Sequence, residues 1–364
     1  MATASAPSPE LAGPLPAARR IVGLDVARAV ALVGVVTMNW TARFNQSDFD
    51  ATGVGDGPAW LERVLHVYDG PLSTRFAAAL VTIAGVGVSL LAARGDLTAN
   101  RWRLRRRGVL LYAVGFGFEW VWGGQILSYY GAYLLLGSFL LTVPTRWLLA
   151  LAGGAGASAA FVTLTWYQTS TGLHDWAWLL TVEPDSPRNL LFDTAVNGTH
   201  PLLPWLAFFL TGMAVGRLDL GSAAVRHRIV AAGVVLVAVG YGLATVLTRA
   251  TSGVWSDLTA VAIAPYRPLY VLAAVGTSLA AIGLLLGVRS PWLARAGQMT
   301  LSLYLLHAFL ANVLIDWLHV EDVGLVPSLA LSLGYWVLAV TAASAWRARI
   351  GPGPAEWVYR QFGG

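Results

Sequence analysis

The residues of this chain that could do chemistry are few, because apolar types make up 56% of it and charged types only 12%. Ionisable groups that fall inside long apolar runs are therefore the ones to weigh. His307, in "MTLSLYLLHAFL", lies about 18 Å along a helix from Arg295. A neutral imidazole there can act as a general base near pH 7, or simply hydrogen-bond a helix neighbour, and Tyr304 stands one turn away. Glu119, in "GFGFEWVWGGQIL", is the acid of a third apolar run, about 18 Å from Arg107, with Gln125 a second polar group nearby. An unpaired carboxylate at that depth is either protonated or faces a cavity. His200, in "NGTHPLLPW", opens a run whose start Pro201 and Pro204 break, and it is a second candidate base.

Candidate binding groups accompany them. Asp25 and Arg28 are three apart on one helix face, either as a structural ion pair or as a ligand site. Asn39 lies about 21 Å further along the same run, where it orients a substrate or caps the helix. Arg105 belongs to the run Arg101, Arg103, Arg105, Arg106, Arg107, which can attract phosphates or act as a topogenic signal against anionic lipid. With no cysteine, thiolate sites and a cysteine nucleophile are excluded. No histidine and acid spacing matches a metal site. A Gly-x-Ser-x-Gly elbow, a P-loop and a Rossmann fingerprint are absent too, and Gly85-Val-Gly87 reads as small-residue helix packing. Nothing implies nucleic acid.

The elements that must position these groups are membrane helices. Mean hydropathy is +0.62, and apolar stretches long enough to span a bilayer recur along nearly the whole chain. Breaking the chain at charges and at Gly/Pro clusters gives ten spans, at about 23–42, 74–93, 107–122, 126–144, 147–167, 202–216, 229–248, 267–287, 297–316 and 327–346. The expected fold is an all-α polytopic bundle over 19–350, with a disordered tail at 1–18 and a second tail at 351–364. All 24 basic residues are arginine. With the N-terminus inside and Arg28 left aside within the first span, 17 of them fall on the cytoplasmic side and six outside, as the positive-inside rule asks, so both termini are expected in the cytoplasm.

Several stretches together resemble a known family. "RIVGLDVARAVALVGVVTMNW", "RFAAALVTIAGVGVSLLAARG", "GGQILSYYGAYLLL", "HPLLPWLAFFLTGMAVGRLDL", "AGQMTLSLYLLHAFL" and "GPGPAEWVYRQF" are similar, in order, to segments of YeiB-like proteins. Those are related to the catalytic domain of heparan-α-glucosaminide N-acetyltransferase. The resemblance covers roughly residues 19–362 and implies an acyl-transferring membrane fold, fed with acetyl-CoA from the cytoplasm and delivering the acetyl group to a sugar on the far side. Asp25, Arg28 and Asn39 match its first helix, and Tyr304 and His307 its ninth. Two departures stand out: Ala29 replaces the usual glycine, and the family's outer-loop histidine has no counterpart before His66.

Two functions of different class follow as expectations. One is an acyltransferase that takes acetyl-CoA or another acyl-CoA at Asp25, Arg28 and the basic loop. It would use His307, Glu119 or His200 on a sugar or envelope acceptor, in a plasma membrane, specifically a bacterial inner membrane. The other is a transporter or lipid-handling protein without covalent chemistry, in which the buried polar groups relay protons or hold a substrate. Whether the chain pairs as a homodimer stays open.

Overall fold

The computed structural model describes residues 20–45, 57–66, 70–181, 191–261 and 267–363. The described residues are 78% helical and contain no strand. Ten longer helices account for the bundle. They are α1 (Val22–Arg43), α2 (Arg75–Ala92), α3 (Leu97–Phe118), α4 (Leu127–Leu140), α5 (Thr145–Ser170, interrupted at Ser158), α6 (Leu202–Val215), α7 (Ala223–Ala250), α8 (Pro268–Leu285), α9 (Thr300–Leu318) and α10 (Leu325–Arg349). A shorter helix, α11 (Pro354–Gly363), closes the chain. The expected tail at 1–18 lies outside the described residues.

Seven of these helices are long and apolar enough to cross a membrane. The exceptions are α3, whose first half holds the arginine run, and α4 and α6, which have 14 residues each and so reach only about 21 Å. Apolar side chains face outward along the bundle, among them Val234, Val235 and Val246 on α7 and Leu333 and Leu338 on α10. In water such a surface would be a liability; in lipid it is the required one. The fold is an all-α polytopic membrane bundle.

Small residues let the inner helices touch backbone to backbone. A Cβ on Gly85 of α2 would stand 2.0 Å from the Phe209 carbonyl oxygen of α6, and one on Gly212 would stand 2.0 Å from the Thr82 carbonyl oxygen. This is the close approach that drives helix pairing where lipid is as apolar as leucine. Around that crossing the core fills with Trp40, Tyr133, Trp205, Phe208 and Phe209, all at most 1% exposed. The helix α1 runs through the middle and packs on α2, α8, α9, α10 and the short helix Pro291–Gly297.

Three boundaries differ from expectation. The third helix starts at Leu97 rather than near 107, because Asp96 caps it by accepting the Ala99 N–H at 2.6 Å and the arginines continue the helix. It also ends at Phe118, so Glu119 is not mid-helix but the C-cap of α3, at the start of a tight turn. The C-terminal residues form α11 instead of a plain tail.

Candidate functional site

At the arginine-rich end, α1, α2, α3, α4, α9 and α11 surround a cavity of about 560 Å³. Its mouth carries Arg20, Arg28, Arg94, Arg107 and Arg360, with Asp25 and Glu356 as the acids. Deeper, the walls are Leu32, Leu80, Ala84, Val88, Leu111 and Leu134, ending at Tyr130, Ile126 and Tyr304.

Asp25 is the hub of the mouth. It is 2% exposed and accepts from Arg20 Nε at 2.6 Å, from Arg28 Nη1 at 2.9 Å and from Gln298 Nε2 at 3.3 Å. Gln298 in turn accepts from Arg347 Nε at 2.8 Å, which ties α1 to α10 through one carboxylate. Only glycine fits beside it: a Cβ on Gly297 would fall 1.8 Å from the Asp25 carbonyl oxygen. The expected Asp25–Arg28 pair is present, and both residues line the cavity.

The terminal helix α11 roofs this mouth. Glu356 accepts the N–H groups of Leu301 at 2.7 Å and Ser302 at 3.1 Å, and the Ser302 hydroxyl at 2.5 Å. A carboxylate at the first turn of α9 is favoured by the helix dipole as well as by those donors. One turn on, Tyr359 sits 4.8 Å from the Arg107 guanidinium, and burial raises the Tyr359 pKa so that it stays a neutral phenol. Trp357, Val358 and Phe362 occupy the other face and are exposed.

The cavity ends where a second polar group begins. The Tyr304 oxygen accepts the Ile126 N–H at 3.2 Å, and its ring lies 5.0 Å from that of His307. His307 is fully buried, with Trp122 on another side at 5.4 Å. Its Nδ1 meets the Tyr304 carbonyl oxygen, which can only accept, so Nδ1 carries the proton. The lone pair of Nε2 then accepts from Asn39 Nδ2 at 3.1 Å. Trp40 Nε1 donates to the His307 carbonyl at 3.2 Å. Asn39 and His307, 268 residues apart, are thus partners.

The other candidates stand elsewhere. The Glu119 carboxylate accepts the Gly124 N–H at 2.8 Å and closes the turn between α3 and α4. Gln125 is buried and bonds Ser128, capping α4. His200 packs edge-on against Trp205, ring centroids 4.6 Å apart, and its carbonyl accepts from the Tyr133 hydroxyl at 2.6 Å. Burial among these rings lowers its pKa to about 3. Arg105 does not line the cavity: it bonds the Ser138 hydroxyl at 3.3 Å and lies over the Phe139 ring. Arg107, two residues on, turns inward instead with Leu104 and Leu111, spaced three and four apart on one face. Sequence reasoning named Arg107 only as one of the 101–107 run, with Arg105 singled out in its place, and missed Arg94, Gln298, Glu356, Tyr359 and Arg360. The two-faced pattern of "PAEWVYRQF" was the available cue to three of them.

Fold and surface together define a multi-pass α-helical membrane protein with a basic, apolar-walled cavity. Residues 217–363 match the family described as "Protein of unknown function (DUF418)", which is the YeiB-like membrane family. That segment supplies Gln298, Tyr304, His307 and the whole of α11. No curated protein matches the chain.

Proposed function

We propose that this protein is a membrane acyltransferase whose arginine-rich end faces the cytoplasm of a bacterial cell. An acyl-CoA enters there, and its acyl group passes to a hydroxyl or amine of a sugar or envelope acceptor arriving from the other end. The observation that carries the reading is the place of Tyr304. Its ring lines the inner end of the cavity on one side and lies tilted against His307 on the other, so a thioester in the cavity and a base behind it would be separated by one side chain.

The chemistry balances with the groups at hand. His307 Nε2 takes the acceptor proton while the acceptor atom bonds the thioester carbonyl carbon. The C–S bond breaks, the CoA thiolate leaves through the basic mouth, and the proton follows it. Asn39 holds Nε2 in register until the acceptor displaces its amide. No side chain of this set needs to be an attacking nucleophile, which accords with a chain lacking cysteine.

The test is acyl transfer by purified protein with labelled acyl-CoA, read by mass spectrometry of the acceptor. His307→Ala is expected to abolish transfer while keeping acyl-CoA binding and the helical spectrum. Wild-type transfer by that variant would remove His307 from the mechanism. One observation favours a second reading, lipid handling without covalent chemistry: both ring nitrogens of His307 are already bonded. Flux that depends on a pH gradient in proteoliposomes, with no acyl-CoA binding, would decide for it.

A further inference from the structure

We infer that the phenols of Tyr130 and Tyr304 form a two-donor site for a carbonyl oxygen at the inner end of the cavity. The inference rests on the acyltransferase reading, in which that oxygen belongs to the donor thioester, and it gives both tyrosines a catalytic role.

The inner end holds few polar atoms. Its walls are Leu32, Leu80, Leu111, Ile126 and Leu134, and the nearby Thr300 hydroxyl is committed to the Gly297 carbonyl at 2.6 Å. The two phenols remain. Tyr304 is 6% exposed, and its oxygen accepts the Ile126 N–H at 3.2 Å. Among the described residues, no acceptor takes the Tyr304 O–H. Tyr130 stands one turn along α4 from Ile126, its N–H bonded to the Ile126 carbonyl at 3.0 Å. Aromatic side chains on a helix lean back toward its N-terminus, which carries the Tyr130 phenol toward Ile126 and so toward Tyr304. The Tyr130 hydroxyl has no hydrogen-bond partner among the described residues.

Hydroxyls left over in an apolar wall cost stability unless a ligand satisfies them. A carbonyl oxygen has two lone pairs and can accept from both. The two rings are held in advance: Tyr304 touches Phe118 and His307, with centroids 6.4 and 5.0 Å away, and Tyr130 meets Tyr133 edge-on at 6.2 Å. Donors fixed before the reaction and screened from water are the kind that stabilise a developing oxyanion. The bond from Ile126 adds to this. A hydroxyl that accepts one hydrogen bond donates the next more strongly, and this one sits at the positive end of the 14-residue α4.

In the transfer step the acceptor atom bonds the thioester carbonyl carbon, and the C=O electron pair moves onto oxygen. Both phenols donate to that oxyanion and keep their protons, while the acceptor's proton goes to His307 Nε2. When the C=O re-forms, the C–S bond breaks and its electron pair leaves with the CoA thiolate. Two hydrogen bonds of about 2.8 Å and the atoms between them span roughly 7 Å. Two rings with centroids 5.0 Å apart can bridge that distance.

Infrared difference spectroscopy reads the carbonyl directly, using acetyl-CoA with a heavy-carbon label at its carbonyl, the full-length protein in nanodiscs and no acceptor. The bound carbonyl is expected at lower wavenumber than in free acetyl-CoA. Tyr130→Phe and Tyr304→Phe should each move it back up, and the double variant furthest. Tyr130→Phe removes a hydroxyl that bonds nothing in the fold, so it keeps the test open should Tyr304→Phe unfold on losing the Ile126 bond. One frequency shared by the wild type and Tyr130→Phe would overturn the inference and leave the acyltransferase reading standing. Absence of acetyl-CoA binding would sink that reading, and the inference with it. In the transfer assay each single variant should lower kcat roughly 100-fold, as loss of one oxyanion donor does, with KM for acetyl-CoA within about threefold. Wild-type kcat in Tyr130→Phe would also overturn the inference.

Discussion

At the arginine-rich end, the Arg107 guanidinium lies over the Tyr359 ring and lines a cavity, whereas deeper in the bundle both ring nitrogens of His307 are paired with protein atoms. The difference follows from solvent. Near the interface a guanidinium can keep its charge because water and headgroups reach it, so the protein can leave charge unneutralised for a ligand. At hydrocarbon depth an unpaired polar atom has no such support. There Asn39, Trp40 and Tyr304 are spent on satisfying one histidine. One region holds charge where water and headgroups reach it, and the other pairs its polar groups among themselves.

The largest effect that would break this contrast is at Asp25. Its removal leaves Arg28 and Gln298 without their shared acceptor and adds one more uncompensated charge to the mouth. Because Arg20 is half exposed, the loss is smaller than for a fully buried pair, about 2–3 kcal/mol for Asp25→Ala. Thermal unfolding in detergent should show it as a large drop in Tm. An unchanged Tm would mean that the network is dispensable and that Asp25 serves a ligand alone.

Next in size is a pH effect at the opposite end. The folded state holds the His200 pKa near 3, while the unfolded chain takes up that proton near 6.5. Below about 6.5 the unfolded state therefore binds the extra proton, and the contribution of His200 to stability falls as pH falls toward 3. Unfolding measured between pH 7 and 5 should show declining stability, and His200→Gln should flatten that decline. The same slope in the variant would assign the effect to other groups.

What the sequence made legible was the set of apolar runs. Ten helices stand near the ten expected spans, because a bilayer imposes length and composition on any segment within it. The third was misplaced since hydropathy treats "RWRLRRR" as a break, yet arginine is a good helix former and Asp96 supplies the cap. That error carried Glu119 to an apparent mid-helix depth. Asn39 and His307 were each legible as polar residues in apolar runs, but their pairing depends on how α1 crosses α9, which no local pattern encodes. Neither did any local pattern show that α11 folds back over the mouth, since that rests on Glu356 meeting the first turn of a helix 54 and 55 residues earlier in the chain.

The arginine run gives the finest test of the contrast, because two cations two residues apart meet different surroundings. Successive helical residues are separated by about 100°, so Arg105 and Arg107 point to opposite sides of α3. Arg105 lies over Phe139 and bonds Ser138, while Arg107 lies under Tyr359 and lines the cavity. A charge-assisted bond to a phosphate is lost only in the second case, and such a bond contributes about 1.5–3 kcal/mol. If an acyl-CoA docks at this mouth, Arg107→Gln should therefore weaken its binding roughly tenfold or more, and Arg105→Gln by less than about threefold, read by displacement of a fluorescent acyl-CoA. If the two variants weaken binding equally, the run acts as a diffuse positive field at the membrane surface. Arg107 would then have no site of its own, and the basic mouth would be a topological feature of the helix.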